Sequence, residues 1–397
     1  MNRRLLLDVS KYLLAVGLLV WVVRANWAPT PTRAIAALAG STVGLGASPS
    51  VAPLVAATSA VPGRIDARGL GYVWQRHVVE NQPIHLGFLI GGFAVYLVAI
   101  FITLVRWHLL VRALDLELEF RDALRYGLVG IFFNTFLPGA VGGDIIKAAA
   151  LARTQNRRTA AVATVIMDRV LALWGLVWFV ALLGGLFWAL GWLTGPAAPV
   201  ARAIVLLAMT IVGVSATIWL VLGLLPEHRA QRFAGRLEKL PGVGATASEL
   251  WRSVWMYRCR QLAVAKVLGL TWVGQVGFVV AFWCCAGVLG SPELGTTPTL
   301  LQHFLLVPIG LVMQALVPTP GGAGGGEWGF AALYVLFCAS EATGVLASLV
   351  QRLMSWVLGL VGYGVYLAMA APATVRKAPA ESLRLARSES PAPAVPG

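Results

Sequence analysis

Two glycine-rich breaks inside apolar sequence constrain this chain more than any other feature. Residues 134–144 read NTFLPGAVGGD and residues 318–327 read PTPGGAGGGE, each setting proline, glycines and a carboxylate between hydrophobic runs. The two breaks keep register. Gly142, Gly143, Asp144 and Arg169 stand 183 residues before Gly325, Gly326, Glu327 and Arg352. One offset shared by two glycines, a carboxylate and an arginine marks an internal duplication.

Of the 397 residues, 58% are hydrophobic and only 12% charged, which is more apolar surface than a soluble domain can hide. The chain therefore reads as an integral membrane protein. Runs long enough to cross a bilayer at about 1.5 Å per residue fall at residues 9–27, 86–111, 164–192, 201–225, 262–289 and 345–370. Arg3 and Arg4 precede the first run as in a signal peptide, but its length favours a retained helix. Shorter apolar runs flank the breaks, at 124–137 and 140–151 and again at 302–317 and 326–337. None of these crosses alone, so each pair reads as a re-entrant helical hairpin that enters and leaves on one face. Three full crossings lie between the hairpins, an odd number, so the second enters from the opposite side. The expected fold is an all-α integral membrane protein, with about six transmembrane helices and two opposed re-entrant hairpins in an inverted repeat.

The domain organisation follows the same runs. Residues 1–27 form an N-terminal transmembrane helix, and 28–85, rich in Ala, Ser, Thr, Pro and Gly, an extracytoplasmic low-complexity loop. Residues 86–225 are a first membrane repeat with its hairpin at 124–151, 226–261 a basic cytoplasmic loop, and 262–371 a second repeat with its hairpin at 302–338. A cytoplasmic disordered tail, 372–397, closes the chain, and a charged piece at 112–125 is expected to lie at the membrane interface. With the N-terminus inside, 23 of the 31 Lys and Arg residues fall on the inner side and six outside, leaving Arg169 and Arg352 within spans. This obeys the positive-inside rule and places both termini in the cytoplasm. The basic excess is thus a topology signal, and nucleic acid is not expected as a partner. Cys259, Cys284, Cys285 and Cys338 form no spaced framework, and the adjacent pair reads as packing residues.

A helix broken in lipid exposes backbone groups that must line a cavity or be buried in protein. The N-terminal ends of the half-helices carry partial positive charge, and glycines let a ligand approach the backbone. An arginine fixed in a span suits a phosphate. The candidate headgroup site comprises Arg169, Arg352, Asp144, Glu327, Asp168, Asn134, Pro138, Gly142, Gly143, Lys147, Gly325, Gly326 and Gln351. A plainer reading coexists with it: Asp144 with Arg169, and Glu327 with Arg352, form ion pairs that lock each hairpin to the next span. Lys147 and Arg153, beyond the first hairpin, either meet a phosphate at the cytoplasmic mouth or only set topology. His108 and His303 have no partner at metal-ligand spacing, and no GxSxG, HExxH or P-loop pattern occurs, so neither metal, cofactor nor nucleotide is expected.

The block NTFLPGAVGGDIIKAAAL, the block MDRVLAL at 167–173 and the block PTPGGAGGGEWGF resemble the lysylphosphatidylglycerol synthase transmembrane region, a flippase-like family, over roughly residues 86–370. The resemblance implies a lipid flippase-like protein of a prokaryotic cytoplasmic membrane. The family includes the membrane half of the bacterial multiple peptide resistance factor, which moves aminoacylated phosphatidylglycerol between leaflets; other members sit beside glycolipid, hopanoid or polyprenyl-lipid pathways. Two departures stand out. The soluble aminoacyl-transfer domain has no counterpart here, so lysyl transfer is not expected. Lys147 also stands where the family commonly has arginine, which keeps the charge but loses the two-pronged fork. The leading expectation is a transporter of an anionic lipid or lipid-linked precursor, acting through Arg169 and Arg352, with lipid-synthesis enzymes and a second copy of the chain as further partners. The rivals are a membrane transferase using Asp144, Asp168 or Glu327 as a base, and a non-transporting partner in a lipid-synthesis complex.

Overall fold

The structure is a computed structural model that describes residues 3–27, 69–137, 142–193, 198–224, 226–239, 244–290, 297–337 and 339–370. Pro138 and the tail at 372–397 lie outside the described residues. Every regular element among them is helical: α1 Arg3–Ala25, α2 Leu70–Trp74, α3 Leu86–Arg112, α4 Phe120–Phe136, α5 Gly142–Thr154, α6 Arg158–Ala189, α7 Ala198–Leu224, α8 Glu227–Glu238, α9 Gly244–Cys259, α10 Gln261–Val288, α11 Leu300–Leu316, α12 Gly325–Leu336 and α13 Glu341–Ala370. Helices α3, α6, α7, α10 and α13 are long and apolar enough to cross a membrane, and α1 is a 23-residue helix at the position of the sixth expected span. The chain is an all-α, multi-pass integral membrane protein. The outer faces of these helices, with Val98, Leu173, Leu207 and Leu360 exposed, suit contact with lipid.

The hairpins are where the breaks predict them. Helices α4 and α5 pack on each other, as do α11 and α12, and none of the four exceeds 17 residues. At about 1.5 Å per residue that is too short to cross the hydrocarbon layer. Inside the first hairpin the backbones touch. A Cβ on Gly143 would sit 1.8 Å from the Gly130 carbonyl oxygen, so only glycine permits this approach. In the second hairpin the chain turns through Pro320–Gly322 with Gly321, Gly322 and Gly324 at φ of 57°, 69° and 82°, a region side chains disfavour.

The inverted repeat is visible in the packing. Exchanging α3 with α10, α4 with α11, α5 with α12 and α6 with α13 carries the contact of α3 with α4 onto that of α10 with α11. The same exchange carries α5–α6 onto α12–α13, α4–α13 onto α11–α6, and α3–α6 onto α10–α13. The remaining partners, α3 and α10, are each other's counterparts and pack together along their length. They run antiparallel: Phe88 lies against Gly287, Gly92 against Cys284, and Ala99 against Gly277. Small residues let the two backbones close up without a hydrophobic driving force, as expected between helices in lipid. Counterparts that run in opposite directions make the repeat inverted.

Several boundaries differ from expectation. The end of the supposed loop at 28–85 is helical, because α2 and a π-helical turn at Gln75–Val79 dock on the end of α1, with Leu70 N–H donating to Asn26 O (2.8 Å) and Gly71 N–H to Trp27 O (3.0 Å). The basic segment at 226–261 is two packed helices, α8 and α9, rather than a loop. Buried Tyr257 of α9 ties this unit to the membrane part by donating to Leu110 O (3.0 Å). In the piece at 112–125, buried Ala113, Leu114, Leu116 and Leu118 interleave with exposed Arg112, Asp115, Glu117 and Glu119, and α4 begins within it, at Phe120.

Candidate functional site

Both arginine–carboxylate pairs of the duplicated register are formed. In the first half Asp144, in the opening turn of α5, is paired with Arg169 of α6; in the second, Glu327, in the opening turn of α12, accepts from Arg352 Nε of α13 at 2.5 Å. A carboxylate at a helix N-terminus is favoured by the local dipole, and each pair fixes a hairpin to the following span. Their surroundings differ. Arg352 and Glu327 have side chains 5% and 0% exposed, whereas Arg169 is 49% exposed over a buried Asp144.

Around the second pair, Gly324 N–H donates to Glu327 Oε2 (2.7 Å), and the Gly321 carbonyl accepts from Arg352 Nη1 and Gln314 Nε2, both at 3.0 Å. The half-helix break is thus stitched by side chains, as a broken helix in lipid requires. Two polar atoms remain. Arg352 Nη2 and Gln351 Oε1 are buried and make no hydrogen bond among the described residues. Both residues line a cavity of about 220 Å³ together with Tyr96, Thr135, Gln314, Gly321 and Ser355 and the apolar Phe278 and Leu311. A buried unpaired donor or acceptor costs on the order of 1–3 kcal/mol, so a cavity lined by the two residues that carry them suits a ligand with polar groups to offer. This cavity lies where the hairpins meet: Gly321 of the second hairpin packs against Thr135 at the end of α4, and Thr135 Oγ1 lies 3.4 Å from Ser355 Oγ of α13.

The first half is built differently. Asn134 Oδ1 accepts from Gly143 N–H (2.8 Å), capping the start of α5 across the hairpin. Asp168 turns away from Arg169's pair and binds Arg106 of α3, at 3.0 Å from Nε and 2.9 Å from Nη2, while Arg106 Nη1 donates to Thr271 of α10 (3.3 Å). Lys147 is not at an aqueous mouth. It is buried, makes no ion pair among the described residues, and sits over the Trp107 ring with Nζ 4.3 Å from the centroid. Three basic residues, Arg106, Lys147 and Arg169, therefore share the first half with two carboxylates, Asp144 and Asp168, each of which is taken by an arginine.

Of the expected residues, Arg352 and Gln351 line the cavity, with Glu327 holding Arg352. Gly325 and Gly326 open α12, where a Cβ would meet Val317 and Gln314 respectively; Gly142 opens α5. Asn134, Gly143, Asp144, Lys147, Asp168 and Arg169 cluster in the first half. Sequence reasoning missed Arg106, Tyr96, Gln314 and Ser355. For Arg106 and Gln314 the signal was present: each is a polar residue inside an apolar run, and such a residue has a partner or a role.

Fold and site together define a multi-pass helical membrane protein built as an inverted repeat, with a cavity lined by Arg352 and Gln351 where its broken helices meet. Within that class, residues 76–362 match the lysylphosphatidylglycerol synthase TM region, and the chain belongs to this family. No curated protein and no solved structure matches the chain.

Proposed function

We propose that this protein moves an anionic lipid or lipid-linked precursor between the leaflets of a prokaryotic cytoplasmic membrane, with both termini cytoplasmic. Its family places it among membrane proteins of lipid metabolism or translocation. The observation that carries the finer reading is the cavity where the hairpins meet, lined by Arg352 and Gln351, whose Nη2 and Oε1 are buried and unpaired among the described residues. A phosphate oxygen on Nη2 and a headgroup hydroxyl on Gln351 would satisfy both atoms, while acyl chains remain in lipid. Inverted repeats support alternating access when the halves hold different conformations. Here Arg169 is half-exposed over a buried Asp144 while both members of the counterpart pair are buried, an asymmetry that fits such a cycle. The transferase reading is weaker, because Asp144, Asp168 and Glu327 are each held by an arginine, so none is free to act as a base.

Native mass spectrometry of the purified protein tests the assignment. Wild type retains a phosphate-bearing lipid, and Gln351→Leu, which removes one cavity partner without disturbing the ion pair, lowers its occupancy severalfold. Equal occupancy in a folded Gln351→Leu protein contradicts the site. A lipid whose mass changes on adding a soluble donor supports the transferase instead.

A further inference from the structure

Away from the cavity, α8 presents Arg229, Arg232, Phe233 and Arg236 at helical spacing along one groove, closed on its other side by Trp251 of α9. The groove encloses about 480 Å³. Its floor is fixed. Phe233 and Trp251 pack edge to face with centroids 4.7 Å apart, and Trp251 Nε1 donates to Ala230 O at 3.0 Å. None of the three arginines makes an ion pair among the described residues, although the neighbouring Arg252 does, with Glu238 at 3.2 Å. Three exposed arginines along an aromatic floor, none of them ion-paired among the described residues, suit a phosphate.

The position of α8 selects the source of that phosphate. Helix α7, long and apolar enough to span the membrane, ends at Leu224, and α8 begins at Glu227. The start of α8 is therefore next to the end of that span, beside the headgroup layer, where clusters of arginine attract anionic lipid. We propose that the α8–α9 groove binds the phosphate headgroup of an anionic membrane lipid, with the guanidinium groups on the phosphate and Phe233 and Trp251 against the glycerol and the first acyl carbons. This site is separate from the cavity at Arg352 and stands whether or not the protein moves lipid.

Hydrogen–deuterium exchange on the full chain tests it, in nanodiscs of phosphatidylcholine alone and in discs containing phosphatidylglycerol. Peptides within 227–259 exchange more slowly in the phosphatidylglycerol discs. Titrating the phosphatidylglycerol fraction then gives an apparent affinity that falls about fivefold for each arginine replaced by glutamine, tracked through Arg232→Gln and the triple variant Arg229→Gln/Arg232→Gln/Arg236→Gln. These side chains are exposed, so the variants keep the fold, and unchanged exchange in α3 and α10 checks that they do. Equal exchange of wild type in both discs overturns the proposal, as does protection that survives the triple substitution. Protection produced by an acidic peptide and not by phosphatidylglycerol overturns it in favour of a protein partner.

Discussion

At the scale of the residue, the centre of this protein is an arginine that the chain cannot leave unpaired. Arg352 is 5% exposed, and its charge is matched by Glu327, itself fully buried. Removing one member of a buried pair leaves an uncompensated charge, at a cost of about 3–5 kcal/mol, whereas neutralising both costs far less. Glu327→Gln is therefore expected to lower thermal stability in detergent sharply, and Glu327→Gln/Arg352→Gln to recover much of the loss; additive losses in the melting series would refute the coupling. The pairing itself was legible in the sequence, since Asp144 with Arg169 and Glu327 with Arg352 share one spacing. The asymmetry was not. Position 168 is Asp and position 351 is Gln, but nothing in a single sequence says that Asp168 reaches back to Arg106, because that contact depends on how α3 packs against α6.

At the scale of the element, apolar periodicity and glycine breaks located the spans and hairpins because lipid enforces length and hydrogen bonding together. The polar segments were read less well. The basic stretch at 226–261 has too much charge to register as buried, yet Ala230 and Ala234 face α9 and Tyr257 is buried against α3, so tertiary packing makes helices of it. This unit is tied to the α3–α4 turn by Arg260, whose Nη1 and Nη2 donate to Asp115 Oδ1 and Oδ2 at 2.9 and 2.5 Å. Hydrogen bonding to Arg260 holds the Asp115 carboxyl below the usual carboxylate range. A carboxyl depressed in the folded state stabilises above its unfolded value, near 4, and loses that contribution as pH falls through its folded value. Asp115→Asn keeps a residue that tolerates the left-handed backbone found there, φ 56°. The variant is expected to melt below wild type at pH 7, by a margin that narrows as pH falls below about 4; a gap that stays constant into acid would mean the ion pair is not its source.

At the scale of the whole molecule, the duplication explains why a cavity exists at all. Two copies of one unit, joined through the antiparallel pair α3 and α10, bring the turn of the second hairpin, at Gly321, onto Thr135 in the first. The sequence offset revealed the copies and the odd number of crossings revealed the inversion; the cavity arises only when both are packed around α13. The central claim is that this cavity carries a lipid headgroup across the membrane. Its most direct test is leaflet exchange of a fluorescent anionic phospholipid in proteoliposomes, comparing wild type with Glu327→Gln/Arg352→Gln, which removes the guanidinium without stranding a charge. Wild type is expected to exchange the lipid rapidly, and the double variant at the protein-free rate. Wild-type exchange by the folded double variant would contradict it.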